Sequence, residues 1–216
     1  MGAVTATSVV IFGGTFDPVH YGHLRAAEEI REKLAMDRFH LLPCGQPPHR
    51  DSPLASPAQR VDMLRLAVGG DDGFTIDTLE VDRPGPSFMV DTLESMRAAY
   101  PESPLALVIG QDAANSLDRW HRWRELPQLA HLVIMSRHGD TAAYAPEVNR
   151  VLSEAKATDS EELMQERAGK FIQVAIDSLA VSASGIREMI RSGKSARFLL
   201  PDPVLDYIHR NGLYLG

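Results

Sequence analysis

At 216 residues the chain falls within the range of one ordinary α/β domain, and 44% hydrophobic with 24% charged residues suffices for a sizeable core under a solvated surface. No apolar run approaches the roughly 18 residues that a membrane helix needs. A formal net charge of −7 argues against nucleic-acid binding through a broad basic face, so any phosphate chemistry must rest on a local set of cations.

In chain order, Met1 to Thr7 lack the basic start and long apolar stretch of a signal peptide. Cys44 has no second cysteine to pair with, which suits a reducing compartment, and the expected location is the cytoplasm. Short β-branched or apolar runs then alternate with helical patterns, the mark of βαβ units and a parallel sheet. The strands are expected at Ser8–Phe12, Phe39–Pro43, Phe74–Glu80, Leu105–Ile109, Leu132–Ser136 and Phe171–Ile176. Helices with one apolar face are expected at Gly22–Ala35, Pro57–Val68 and Ser87–Tyr100, and the Pro-rich stretch Gln46–Ser56 reads as a loop. His138 to Lys170 is polar and reads as a helical excursion. Near the end, Asp202 reads as an N-cap with Pro203 in the first helical position, and Asn211-Gly212 as the stop. The expected fold is a Rossmann-like, doubly wound parallel sheet, one domain over residues 1–216 with a small helical part at its C-terminus. Ligands in such sheets lie beyond the carboxyl ends of the strands, where strand order reverses.

The first strand runs directly into Gly13-Gly14-Thr15-Phe16-Asp17-Pro18-Val19-His20-Tyr21-Gly22-His23. Two glycines at a strand end let the backbone turn tightly and approach a ligand. The segment then opens a helix, whose free N–H groups attract anions. His20 and His23 stand one helical turn apart, so both imidazoles can donate to phosphate oxygens as charge develops. Two other readings stay open: a zinc pair, for which no third ligand is near in sequence, or a tight turn with incidental histidines. Gly193-Lys194-Ser195 imitates the end of a Walker loop, but Glu188 stands where that pattern requires glycine.

The stretch Gly13–His23 resembles the nucleotide-binding signature of the nucleotidyltransferases, with His20-Tyr21-Gly22-His23 matching their His-x-Gly-His. Val181-Ser182-Ala183-Ser184-Gly185-Ile186-Arg187 is similar to the family's second signature, Ile-Ser-Ser-Thr-x-Ile-Arg, with Val181, Ala183 and Ser184 as departures. If Ser184 caps the helix, Arg187 falls in its first turn, where the macrodipole disfavours a cation by up to ~1 kcal/mol and a bound polyphosphate would reverse the cost. Between the signatures, Pro47-Pro48-His49-Arg50, Gly110-Gln111-Asp112, Trp120-His121 and Arg137 resemble elements of the bacterial nicotinate mononucleotide adenylyltransferases. Phe88-Met89 departs from that family's aromatic-Thr pair.

The resemblance implies transfer of AMP from ATP to nicotinate mononucleotide, giving deamido-NAD and pyrophosphate. It assigns catalysis to His20, His23 and Arg187, and the ATP site to Gly13, Gly14, Thr15, Phe16, Gly110, Asp112, Ser182 and Ser184. It assigns the mononucleotide to Arg50, Phe88, Met89, Trp120, His121 and Arg137. Mg²⁺ is expected to be held mainly by ATP phosphates, so no residue is named as a metal ligand. The alternatives are an acceptor such as nicotinamide mononucleotide or phosphopantetheine, a cytidylyltransferase, or a non-catalytic nucleotide-binding module. No nucleic-acid or membrane partner is expected.

Overall fold

Val9–Gly14 and Leu105–Gly110 are runs of apolar residues buried along nearly their whole length, as central parallel strands require. The computed structural model describes residues 6–47, 52–177 and 179–215. Its strands are β1 (Val9–Gly14), β2 (Arg38–Pro43), β3 (Thr75–Ile76), β4 (Leu105–Gly110), β5 (His131–Arg137) and β6 (Phe171–Ile176). They form a sheet in the order β3-β2-β1-β4-β5-β6, with β1–β4, β4–β5 and β5–β6 paired in parallel. The helices are α1 (Tyr21–Leu34), α2 (Pro57–Val68), α3 (Leu79–Asp82), α4 (Met89–Ala99), α5 (Gln111–Ala114), α6 (Leu126–Leu129), α7 (Pro146–Glu154), α8 (Ala183–Arg191) and α9 (Asp202–Arg210). This is the doubly wound α/β order expected. The chain steps outward from β1 to β3, returns to the other side of β1 as β4, and strand order reverses between the two. Among the described residues no helix is long and apolar enough to cross a membrane.

Two expectations need correction. Phe74–Glu80 does not form one strand: only Thr75 and Ile76 pair, because Asp77 accepts the Leu79 N–H at 3.0 Å and turns the chain into α3. Asp202 is the first helical residue of α9, not its cap. The Pro201 carbonyl already receives the N–H groups of Val204 and Leu205, which moves Pro203 to the second position.

Contacts gather into two compact units. The first comprises Met1–Gly13, Glu29–His40 and Phe88–Asp177. In it β4 and β5 are enclosed, while β6 alternates, burying Phe171, Val174 and Ile176 and exposing Gln173 and Ala175, as an edge strand does. α4 buries a stripe of Val90, Leu93 and Met96. Arg97, in its last turn, donates to the carbonyls of Tyr100, Ser103, Leu129 and Arg167, so one guanidinium satisfies loops near the starts of β4, β5 and β6.

The second unit comprises Gly14–Glu28, Leu41–Ser87 and Ser178–Gly216. α2 begins on a reciprocal capping box between Ser56 and Gln59, with Pro57 at its start, and stops at Gly69 with φ of 60°. It packs against α9, where Tyr207 donates to Asp62 at 3.0 Å. α8 and α9 bury Ile186, Ile190, Val204, Leu205 and Ile208, the small helical part expected at the C-terminus.

His131, fully buried at the start of β5, accepts the Lys170 N–H at Nδ1 (3.0 Å) and therefore donates from Nε2 to the Glu166 carbonyl (2.9 Å). Acceptance at Nδ1 needs the neutral ring, and burial holds the His131 pKa below the ordinary 6.5. Below about pH 6.5 the unfolded chain therefore binds a proton that the folded chain refuses. The stability is present above that value and is lost as pH falls through the lowered folded pKa. The melting temperature should fall between about pH 7 and 5.5 more steeply in the parent than in His131→Asn. Parallel slopes would show that His131 does not couple protonation to unfolding.

Candidate active site

β1 delivers Gly14 to a loop that must turn within a few residues into α1. A Cβ on Gly14 would stand 2.7 Å from the Phe16 ring, and one on Gly22 would stand 3.0 Å from the His20 ring and 3.4 Å from the Val181 carbonyl. Both positions accept only glycine without a shift of an aromatic ring. Phe16 is buried with φ of 52°, and Thr15 is half-buried beside it.

Asp17 fixes the loop. Its buried carboxylate accepts the N–H groups of Leu54 (2.8 Å) and Ala55 (3.0 Å) and the Tyr214 hydroxyl (2.8 Å). Its carbonyl accepts Arg187 Nη1 at 2.6 Å. Burial, and then the Asp17 charge, push the Tyr214 phenol pKa upward, so it remains a donor. Fully buried Arg60 donates to the carbonyls of Thr15 (2.8 Å) and Gly45 (3.1 Å), joining the loops after β1 and β2.

On this base the His20 and His23 rings stack, with centroids 3.8 Å apart and planes inclined by 22°. The Phe16 ring meets His23 edge-on at 5.1 Å. His20 is buried and His23 half-buried at the amino end of α1, where the His20 carbonyl receives the N–H groups of His23 and Leu24. Ser182 caps α8 by accepting the Gly185 N–H at 3.1 Å, and the Ser184 hydroxyl lies 3.4 Å from it. The cap is therefore Ser182, two residues earlier than expected. Arg187 consequently lies in the second turn, beyond the worst of the dipole, and it is anchored to Asp17 rather than left in an unfavourable position. Thus Gly14, Thr15, Phe16, His20, His23, Ser182, Ser184 and Arg187 all belong to the second unit.

The remaining sites described belong to the first unit. Gly13 ends its part of β1, and the Met89 methyl would be 3.4 Å from a Cβ there. Met89 is the first residue of α4, whose cap position, Phe88, offers no side-chain acceptor to the helix N–H groups. The rings of Phe88 and His121 lie 4.4 Å apart. Trp120 is half-buried, whereas neighbouring Trp123 is buried. Gly110 ends β4 and Asp112 is exposed on α5. Arg137 is exposed at the end of β5, its N–H held by Asp140 at 2.7 Å. Arg50 lies outside the described residues.

Sequence reasoning missed Asp17, Arg60, Tyr214 and Gln111. Asp17 stands inside the quoted motif, and its only signal was that position. Gln111 is buried at the end of β4 and is held through Asn115, Tyr144 and Gln173, which only the fold reveals. Burial, then the nearby Glu80 charge, push the Cys44 thiol up to about 12, which disfavours the reactive thiolate.

The chain matches the model of the cytidylyltransferase-like family over residues 11–189. It is 48% identical over 205 residues to a protein of Methylococcus capsulatus named "Probable nicotinate-nucleotide adenylyltransferase", covering 94% of this chain and 98% of that one. A protein of Acidithiobacillus ferrooxidans with the same name is 46% identical, covering 99% of both chains. The fold is similar to that of a Plasmodium falciparum nicotinic acid mononucleotide adenylyltransferase complexed with NaAD, with a TM-score of 0.75 at 15% identity, covering 96% and 97% of the two chains.

Anchoring Arg187 to a carbonyl makes it part of the unliganded fold. Arg187→Ala should therefore destabilise the apo protein by about 1 kcal/mol, a little below the range for a hydrogen bond to a charged group because the side chain is 29% exposed. Denaturant titration checks this; an unchanged or raised midpoint would show that the Asp17 contact carries no stability.

Proposed function

The chain belongs to the nicotinate-nucleotide adenylyltransferases of the cytidylyltransferase-like family, and from that membership we infer that it transfers AMP from ATP to nicotinate mononucleotide. The products are deamido-NAD and pyrophosphate, a step of NAD biosynthesis. The observation that carries the reading at the level of residues is the stacked His20–His23 pair at the amino end of α1, on a loop whose Asp17 carbonyl also holds Arg187.

The reaction needs no enzyme nucleophile. A phosphate oxygen of the mononucleotide attacks the α-phosphorus of ATP in line, forming the new P–O bond as the bond to the bridging oxygen breaks and pyrophosphate leaves. Catalysis is then positioning plus stabilisation of charge on the phosphates. His20 and His23 donate to the triphosphate, His23 most strongly as charge shifts toward the leaving group. Gly13, Gly14, Thr15 and Phe16 let the backbone come close to it. Arg187, with the hydroxyls of Ser182 and Ser184 at the start of α8, holds the β- and γ-phosphates. Gly110 and Asp112 take the ATP ribose.

The mononucleotide is assigned to Phe88, Met89, Trp120, His121, Arg137 and Arg50. Its pyridine ring lies against Trp120, and its carboxylate accepts main-chain N–H groups near Met89 and His121. A contact through the Met89 N–H explains how methionine replaces the family's threonine without loss. Mg²⁺ is a hard cation that prefers oxygen, and among the described residues no group of three or more His, Cys, Asp or Glu gathers to hold a metal. Mg²⁺ would be held mainly through ATP phosphate oxygens and would there neutralise part of their charge. Residues 1–216 act as one nucleotidyltransferase domain, which the end-to-end match to the relatives supports. The cytoplasm is its proposed location.

His23→Ala should lower kcat by roughly 10²–10⁴ while KM for ATP rises much less, because the contact strengthens in the transition state. Pyrophosphate release measures this, and turnover within about threefold of the parent would remove His23 from the mechanism. The amide analogue would bring its own NH₂ donor against the N–H groups that receive the carboxylate. kcat/KM for nicotinate mononucleotide should therefore exceed that for nicotinamide mononucleotide by at least ~10²-fold. Met89→Thr should leave that ratio nearly unchanged, and Trp120→Ala should lower activity on both acceptors. A ratio near one would sink the carboxylate reading and leave adenylyl transfer intact.

A further inference from the structure

The segment Trp120-His121-Arg122-Trp123 joins two 3-10 turns, Leu117–Arg119 and Trp123–Glu125. Arg122 between them has φ of 52° and ψ of 34°, a left-handed conformation that side chains other than Gly and Asn rarely adopt. Such a residue persists where its surroundings over-determine it. Arg122 Nε and Nη2 fork onto the Glu125 carboxylate at 2.9 and 2.5 Å, and Nη2 also donates to Glu94 at 2.6 Å. Nη1 lies 3.7 Å from the Asp91 carboxylate. Asp91 and Glu94 stand on the first two turns of α4, the helix that Met89 begins. A single guanidinium thus ties the Trp120–His121 loop to the start of α4, and the Phe88 and His121 rings meet across the same junction.

The charges matter as much as the geometry. Asp91, Glu94 and Glu125 make an acidic group beside segments that the proposed reaction uses to bind an anion, and Arg122 is the cation set among them. Without it, their field would oppose a carboxylate and leave a neutral amide unaffected.

We propose that Arg122 is a positioning and specificity-determining residue, which fixes the Trp120–His121 loop against the start of α4 and shields the acceptor carboxylate from three acidic side chains. It acts through its neighbours and touches no substrate. The inference rests on the nicotinate mononucleotide reading above.

The test compares Arg122→Ala and Arg122→Lys with the parent in steady-state kinetics on both acceptors, with acrylamide quenching of tryptophan fluorescence as a readout that needs no turnover. Arg122→Ala should raise KM for nicotinate mononucleotide about tenfold, leave KM for ATP within about twofold, and lower the acid-to-amide ratio of kcat/KM. Arg122→Lys keeps the charge and loses the fork, so it should restore the ratio more fully than the KM. Quenching should increase in Arg122→Ala, because the freed loop carries Trp120 and Trp123. A parent that does not use nicotinate mononucleotide would sink the functional reading, while quenching would still report whether Arg122 holds the loop. A parent that uses it, with Arg122→Ala unchanged in KM, ratio and quenching, would overturn this inference alone. Equal rises in KM for ATP and acceptor, tracking a fall in melting temperature, would also overturn it by showing a merely structural role.

Discussion

The loop after β1 places a buried carboxylate and several buried carbonyls where water is scarce, and each must be satisfied by the protein itself. Asp17 is the centre of that requirement. Its side chain takes two backbone N–H groups from Leu54 and Ala55 and the hydroxyl of Tyr214, and its carbonyl takes Arg187. Segments far apart in the chain, from the loop before α2 to the last residues described, are thereby bound to one residue of the histidine loop. An unpaired buried group costs about 1–3 kcal/mol, so these partners are mutually dependent rather than individually strong. The loop's shape follows from this satisfaction.

The two groups of residues assigned to the substrates use different physics, in keeping with the ligands proposed. For a triphosphate, the second unit supplies imidazoles, one guanidinium and the capped start of α8, all hydrogen-bond donors to oxygens of changing charge. For a flat ring with a carboxylate, the first unit supplies aromatic surfaces and the uncapped start of α4. A helix start without a side-chain cap leaves N–H groups for an outside acceptor. The capped start of α8 instead has Ser182 committed to Gly185, which shifts its contribution toward hydroxyls and Arg187.

Much of the fold was legible because its signals are local. Apolar runs bounded by Gly and Pro marked β1, β2, β4, β5 and β6, and the Ser56-Pro57-Ala58-Gln59 sequence states the start of α2 outright. Phe74–Glu80 misled because Asp77 can capture the Leu79 N–H, a choice that β-propensity does not weigh. For the candidate site, the residues in signatures could be named, but their anchors could not. Arg60 lies within α2 with no local signal of a special role, yet it is fully buried and donates to carbonyls of loops distant in sequence. Tyr214 stands near the end of the chain, with nothing local to suggest a partner nearly two hundred residues away. The cap of α8 was misplaced for a smaller reason: Ser182 and Ser184 are equally good caps by composition, and only backbone geometry chooses between them.

An acidic chain that binds polyphosphate must keep some cations from being neutralised by its own carboxylates, and its arginines divide along that line. Arg122, Arg124 and Arg191 lie on the surface, each matched to glutamates in close hydrogen bonds. Arg60, Arg97 and Arg187 instead direct their hydrogen bonds to main-chain carbonyls. A carbonyl orients a guanidinium and satisfies a donor without cancelling its charge, whereas a bidentate carboxylate does both. For Arg60 and Arg97 this serves the fold, because one side chain closes several orphaned carbonyls. For Arg187 it has a second consequence. The Asp17 carboxylate stays 3.9 Å from Nη1, occupied by Leu54, Ala55 and Tyr214, so it does not close on the arginine as a tight pair. Three donors that hold an aspartate in place thus also keep the neighbouring positive charge available to an anion. In a protein with a net charge of −7, the proposed phosphate binding rests on that local arrangement and not on the field of the whole molecule.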